Sequence, residues 1–246
     1  MNLIKLDATT STNSHIKLLY QAGTVQPPCC VTAQWQSAGR GQMGTQWQAE
    51  KGKNIIMSSL YRFDTLSPEA LFTWNAAVAV AVAHTLQAYD IAAVSIKWPN
   101  DILSGAHKLA GILIENIFEA SGQWASIVGI GLNVNQMHFE GLPQAGSMYT
   151  VSQRHHDIDQ VLHTLLEALE QAHIQLSTQP SQQIWDRYHA LMYRHLQPTQ
   201  MATPDGLHFE ATPLGVDAQG RLRLQMPNGD EARFALKEVQ WVWGDV

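Results

Sequence analysis

The sequence predicts an α+β fold: a mixed, largely antiparallel sheet flanked by helices, followed by a small β-rich unit. Three observations carry this. Apolar strand-like runs between Val94 and Asn133 are joined by links such as Ser104-Gly105 and Ser121-Gly122. Such links suit antiparallel neighbours, because a parallel crossover needs a dozen or more residues. Two long segments, opening near Ser67 and Asp157, have helix starts and helical apolar content. After Pro198 only short strand-like runs remain, separated by turn pairs.

Leu3, Ile4 and Leu6 open the chain as a strand, and the polar cluster from Thr9 to Asn13 suits a helix cap. Ile16, Leu19 and Tyr20 then recur at helical spacing. Pro27 and Pro28 precede a strand from about Cys30 to Trp35, a glycine-rich polar loop runs from Ser37 to Lys53, and Asn54 to Arg62 reads as a buried strand. Ser67-Pro68-Glu69 starts a helix with a capping serine and proline at its first position. Val78, Val80 and Val82 alternate with alanine and mimic a strand, but the segment's length to about Tyr89 favours a buried helix.

Strands follow at Val94 to Trp98, Leu109 to Phe118 and Ala125 to Asn133. Asp157 to Leu176 is amphipathic, with Ile158, Val161, Leu162, Leu165 and Leu169 on one face, and Ser181 to His195 forms another helix. Strand-like runs at His208–Pro213, Arg221–Met226, Arg233–Ala235 and Val239–Trp243 are expected to close into a small β-barrel, with Asn228-Gly229 as a hairpin turn. Residues 1–196 and 197–246 are therefore expected as two units, the second packed on the first.

The 246 residues are 45% hydrophobic and 15% charged, with a formal net charge of −6. No run of Lys or Arg marks a nucleic-acid footprint, and no apolar stretch reaches the roughly 18 residues of a membrane span. The adjacent Cys29 and Cys30 make no spaced disulfide framework, and no cysteine or histidine spacing marks a metal site. A protein of the reducing cytoplasm is expected, without a signal segment.

Four segments carry chemistry. Gly39-Arg40-Gly41-Gln42-Met43-Gly44 matches G-x-G-x-x-G. A dinucleotide fold would need a helix to open there, with Asp64 at about the distance of a ribose acid, but the following residues are polar and end at Gly52. The alternative is a loop whose backbone N–H groups and Arg40 meet an anion. Lys97-Trp98-Pro99-Asn100-Asp101 is either a plain turn or a strand end that presents Lys97 and Asp101 to a cleft. Lys108-Leu109-Ala110-Gly111 and Gly129-Ile130-Gly131-Leu132-Asn133 place glycines inside strands, which argues for something close to the backbone. Trp47 closes the polar loop, where its face can stack on a base.

These segments, together with Thr10-Ser11-Thr12-Asn13 and Gln36-Ser37-Ala38, resemble in this order the biotin protein ligase family. The C-terminal Gly215-Val216-Asp217 with Gly220 resembles that family's SH3-like domain. The resemblance implies a class II aminoacyl-tRNA synthetase/biotin synthetase-like core with an SH3-like β-barrel. It implies an enzyme that forms biotinyl-5′-AMP from biotin and ATP with Mg²⁺, then transfers biotin to a lysine of a biotin carboxyl carrier domain.

By the resemblance, Ser11, Thr12, Asn13 and Gln36 would hold biotin at its ring, with Gly39, Arg40 and Gly41 in the loop that closes over it. Lys108 would neutralise charge between the biotin carboxylate and the α-phosphate, and Gly111 would let the backbone approach biotin. Lys97, Trp47 and Asn133 would bind ATP, Trp47 by stacking on adenine and Asn133 at its edge. Arg40, Lys108 and Asp101 are the expected catalytic set, Asp101 as the group that orients or deprotonates the carrier lysine. The loop carries Gln42, Met43 and Thr45 where the family often has arginines, so closure would lean on Arg40. The family form without an N-terminal DNA-binding domain is expected, hence no nucleic-acid or membrane partner, as monomer or homodimer. Lipoate–protein ligase and a non-catalytic biotin sensor are the competing readings.

Overall fold

A computed structural model describes residues 1–63, 68–119 and 122–242. Asp64, the capping Ser67, the turn residue Ser121 and Trp243 lie outside the described residues.

The expected strands pair into one seven-stranded sheet. Its members are β1 (Asn2–Thr9), β2 (Cys29–Gln36), β3 (Asn54–Phe63), β4 (Val94–Lys97), β5 (Asp101–Ser104), β6 (His107–Phe118) and β7 (Trp124–Asn133), in the spatial order β1-β2-β3-β7-β6-β5-β4. Only β1 and β2 run parallel, and the helix α1 (Thr12–Gln21) makes the crossover between them. Every other neighbouring pair is antiparallel. The fold is α+β with a largely antiparallel sheet.

One face of the sheet is covered by α2 (Pro68–Ala88) and α4 (Ile158–Thr178), the short α3 (Met148–Ser152) precedes α4, and α5 (Ser181–Ala190) packs on α2. The Val-Ala alternation does form a helix: Trp74, Val78, Val82 and Leu86 are fully buried at four-residue spacing. Ala76, Ala79 and Ala83 are buried too, so α2 is apolar nearly all round, as a helix sandwiched between sheet and helices must be. Asp157 caps α4, its carboxylate accepting the N–H groups of Asp159 and Gln160 at 2.9 and 3.1 Å. At the sheet's end, β4 is not left bare: Ile96 pairs with the segment after α5, donating to Leu191 O at 2.7 Å and accepting from Tyr193 N at 2.9 Å. No described helix is long and apolar enough to cross a membrane.

The C-terminal barrel is a correction. β8 (Thr199–Ala202), β9 (His208–Val216), β10 (Leu222–Gln225), β11 (Glu231–Phe234) and β12 (Gln240–Trp241) form a five-stranded sheet in the order β11-β10-β9-β8-β12. The end strands β11 and β12 do not pair among the described residues, so the sheet stays open. β11 has four residues and β12 two, too little length for the tilt and stagger that closure demands. Its apolar side instead packs on the large sheet. Trp98 Nε1 donates to Gly220 O at 3.0 Å, Trp241 Nε1 to Trp98 O at 3.3 Å, and the Val216 N–H to His189 Nε2 at 3.0 Å. Met201, Leu222, Leu224 and Trp241 belong to the same apolar core as α2 and α4.

Candidate active site

Residues opposite one another in an antiparallel pair point to the same face. On the face away from α2 and α4, Gly111 of β6 therefore lies beside Gly131 of β7 and Ile56 of β3. Leu113, Gly129 and Ser58 form the next row, and Glu115, Ile127 and Leu60 the row after that. Two rows thus have glycine at their centre, which leaves a trough where a core would otherwise be.

The N-terminus of α1 closes one end of the trough. Ser11 holds the N-cap position but makes no side-chain capping bond, and it is buried with Thr12 and Asn13. Ser58 Oγ lies 2.8 Å from Thr12 Oγ1 and 2.5 Å from Asn13 Oδ1. The Thr12 N–H donates to Gln36 Oε1 at 3.3 Å. A Cβ on Gly129 would stand 2.2 Å from Asn13 Oδ1, so only glycine admits that amide. These groups offer matched hydrogen-bond donors and acceptors inside an apolar wall, which suits a small polar ring.

The lid is the Gly39–Gly44 loop. It opens no helix beyond a single 3-10 turn at Gln42–Gly44, so the dinucleotide reading fails. Arg40 bridges to Gln46, and the Gly41 N–H is spent on Thr45 O at 2.7 Å rather than left for an anion. The lid's cationic contribution therefore rests on Arg40, whose guanidinium pairs with Glu115. Trp47 follows and lays its indole on the glycine floor: a Cβ on Gly131 would be 2.2 Å from its Cε2, and one on Gly111 would be 3.1 Å from its Cζ3. Gly111, expected to admit biotin to the backbone, makes room for Trp47 in this structure. Trp47 Nε1 is buried without a partner among the described residues.

The β4–β5 hairpin forms the opposite end. Lys97 and Asp101 stand opposite each other across it, and Asp101 opens a strand rather than ending a turn. Asn100 ties the hairpin to β6, donating from Nδ2 to Ile112 O at 2.8 Å and accepting the Ile112 N–H at 3.0 Å. Asp101 Oδ1 meets Lys108 Nζ at 2.6 Å, and Lys108 Nζ sits 5.9 Å from the Trp47 ring centroid. Lys97 is buried. That burial lowers its ammonium to a pKa of about 8, against the opposing pull of Asp101 and with help from the nearby Lys108 charge.

Ser11, Thr12, Asn13, Gln36, Arg40, Gly41, Trp47, Lys97, Asp101, Lys108 and Gly111 all line one cavity of about 410 Å³. Gly39 stands just behind it, its carbonyl accepting the Trp47 N–H at 3.0 Å. Asn133 does not reach the cavity wall. Its Nδ2 donates to Gly146 O at 2.8 Å and its Oδ1 is buried without a partner among the described residues. Ser58 went unnoticed in the sequence, although two adjacent serines inside an otherwise apolar strand mark a polar demand there. Leu236, Lys237, Val239, Gln240 and Trp241, from the C-terminal sheet, also line the cavity, and no local pattern announces them. Among the described lining residues Asp101 is the one carboxylate, set against Arg40, Lys97, Lys108 and Lys237.

The sequence model of the biotin/lipoate A/B protein ligase family matches residues 6–135, which hold all of these elements except the C-terminal wall. The chain belongs to that family. Within the family it is 31% identical over 233 residues to the biotin–[acetyl-CoA-carboxylase] ligase of Paracoccus denitrificans, covering 91% of this chain and 94% of that one. It is 33% identical over 211 residues to the bifunctional ligase/repressor BirA of Bacillus spizizenii, covering 81% of this chain but 62% of that protein's length. The fold matches that of the Aquifex aeolicus biotin protein ligase in complex with biotin and ATP, with a TM-score of 0.80 at 21% identity and 99% of both chains covered.

Proposed function

We propose that this chain is an ATP-dependent biotin ligase of the biotin–[acetyl-CoA-carboxylase] type. The observation that carries the reading is the two-ended cavity: a hydrogen-bonding end at Thr12, Asn13 and Gln36, and a cationic end at Lys97, Lys108 and Lys237, with Arg40 on the lid beside the first. The first suits the ureido ring of biotin. The second suits a carboxylate meeting a nucleotide triphosphate.

Both of those reactants are anionic, so attack is slow until their charge is neutralised and their geometry fixed. The biotin carboxylate attacks the α-phosphorus, and the bond to pyrophosphate breaks, leaving biotinyl-5′-AMP. Lys108 is assigned to the oxygens between carboxylate and α-phosphate, with Lys97 and Lys237 toward the rest of the phosphate chain. Asp101 holds Lys108 in place, which keeps the ammonium from swinging into solvent. Mg²⁺ would enter with ATP as the counter-ion of its phosphates, which would hold it chiefly themselves. Trp47 and the Gly39–Gly44 lid exclude water from the mixed anhydride.

In the second step the amine of a carrier lysine attacks the biotinyl carbonyl carbon and AMP leaves. At neutral pH that amine is almost wholly protonated. Asp101, at the cavity's end beside Lys108, is assigned to orient it and receive its proton. The partner is a biotin carboxyl carrier domain, and the cytoplasm, where ATP is available, is the setting.

Biotin-dependent exchange of labelled pyrophosphate into ATP, followed by biotin transfer to a carrier domain, tests the reading. Exchange that responds to lipoate and not to biotin would turn the assignment to lipoate–protein ligase. Biotin binding with no exchange would leave a sensor.

A further inference from the structure

Glu115 does not line the cavity, yet it holds two residues that do. The Arg40 guanidinium meets its carboxylate at two points, Nη1 to Oε1 at 3.2 Å and Nη2 to Oε2 at 2.7 Å. The same Oε2 accepts a hydrogen bond from Asn13 Nδ2 at 2.7 Å. One carboxylate on the strand β6 therefore joins the lid, 75 residues before it, to the N-terminus of α1, 102 residues before it.

Each contact solves a distinct problem. Arginine on a glycine-rich loop has much side-chain freedom to lose, and a planar fork against a carboxylate removes it before any ligand arrives. Asn13 presents both a donor and an acceptor. Binding its Nδ2 to Glu115 turns its Oδ1 toward Ser58 and so sets the polarity of the cavity's hydrogen-bonding end. Gly129 leaves the space this arrangement needs.

We infer that Glu115 is a positioning residue that couples recognition of the substrate ring at Asn13 to placement of Arg40 in the lid. The inference rests on the biotin-ligase reading. Occupation of the ring end steadies Asn13, hence Glu115, hence Arg40, so the lid is set over the intermediate when the ring is seated. The Arg40–Glu115 pair is partly exposed, with 44% and 28% of the two side chains accessible. Such a pair adds little to folding stability, so removing its charge is expected to show in binding before it shows in unfolding.

Glu115→Gln keeps the shape and one acceptor but removes the charge. In pyrophosphate exchange it is expected to raise the KM for biotin about tenfold while kcat stays within about threefold, a coupling of ordinary size for one network. Release of preformed biotinyl-5′-AMP, followed by trapping the labelled intermediate, should quicken by about tenfold. Arg40→Gln should quicken release similarly, and the double variant should be no worse than the worse single variant. Glu115→Asp, which retains the charge at shorter reach, should fall between wild type and Glu115→Gln, and it serves if the glutamine variant does not fold. An unchanged biotin KM and release rate with a lowered melting temperature, or losses that multiply in the double variant, would remove this role while leaving the ligase reading intact. Absence of biotin-dependent exchange in the wild-type protein would remove both.

Discussion

The two faces of the large sheet are built on opposite plans, and β7 shows both at once. Toward the helices it presents Val128, Ile130 and Leu132, which share one closed core with Val78, Val82 and Leu86 of α2. Toward the trough it presents Gly129 and Gly131, with Asn13 and Trp47 pressed against them. Each aliphatic side chain buried on the first face contributes about 1.5–3 kcal/mol, which the glycines on the second forgo. The strand is thus held by one side and left open on the other. Stability and chemistry occupy alternate residues of the same element.

That division can be broken most forcefully at Lys108. Lys108→Ala should lower the exchange rate about 10²–10³-fold, as loss of one charge-stabilising group does, with little change in melting temperature. Asp101→Asn should instead slow transfer from isolated biotinyl-5′-AMP more than it slows exchange. Undiminished pyrophosphate exchange in Lys108→Ala would show that the cationic end is not where activation happens.

Adjacent substitutions in β7 sharpen the contrast further. Gly131→Ala drives a methyl into the Trp47 ring and should cost about 100-fold in activity, since an ångström of misplacement suffices for that. Leu132→Ala, one residue on, should cost about 2–5 kcal/mol in chemical denaturation while the folded protein keeps most of its activity. If Gly131→Ala unfolds the protein and Leu132→Ala spares it, the two faces have been confused.

The smallest effect is a pH limb. Lys97 carries its charge below a pKa of about 8 and loses it above, so ATP affinity should fall a few-fold as the pH rises through 8. Its folded pKa lies below the ordinary 10.5, so between those values the unfolded chain holds the extra proton. This group therefore makes folding more favourable as pH rises, and the loss of affinity cannot come from its unfolding the protein. Lys97→Arg, charged throughout, should flatten the limb in a titration of the KM for ATP.

Much of the fold was legible because its elements carry strong periodic or boundary signals. β3, β6 and β7 fall within two residues of their expected ends, and α2 prevailed over its strand-like alternation because twenty-one residues behind a proline start are too many for a strand. Asp101–Ser104 was hidden because Pro99 and Asn100 are turn formers, and Thr199–Ala202 because it is short and partly polar. Closure of the C-terminal sheet depends on strand lengths that turn signals do not report.

Residue types and their order along the chain determined most of the element sequence, the family and many of the polar side chains around the cavity. Each of those is encoded locally, in spacing, capping and short motifs. The tertiary structure alone decided that Glu115 would grip Arg40 and Asn13, that Gly111 and Gly131 would bed Trp47, and that Lys237 and Trp241 would wall the same cavity. Those contacts depend on strand register and on how two sheets pack, and both are set by burial summed over the whole chain rather than by any segment of it.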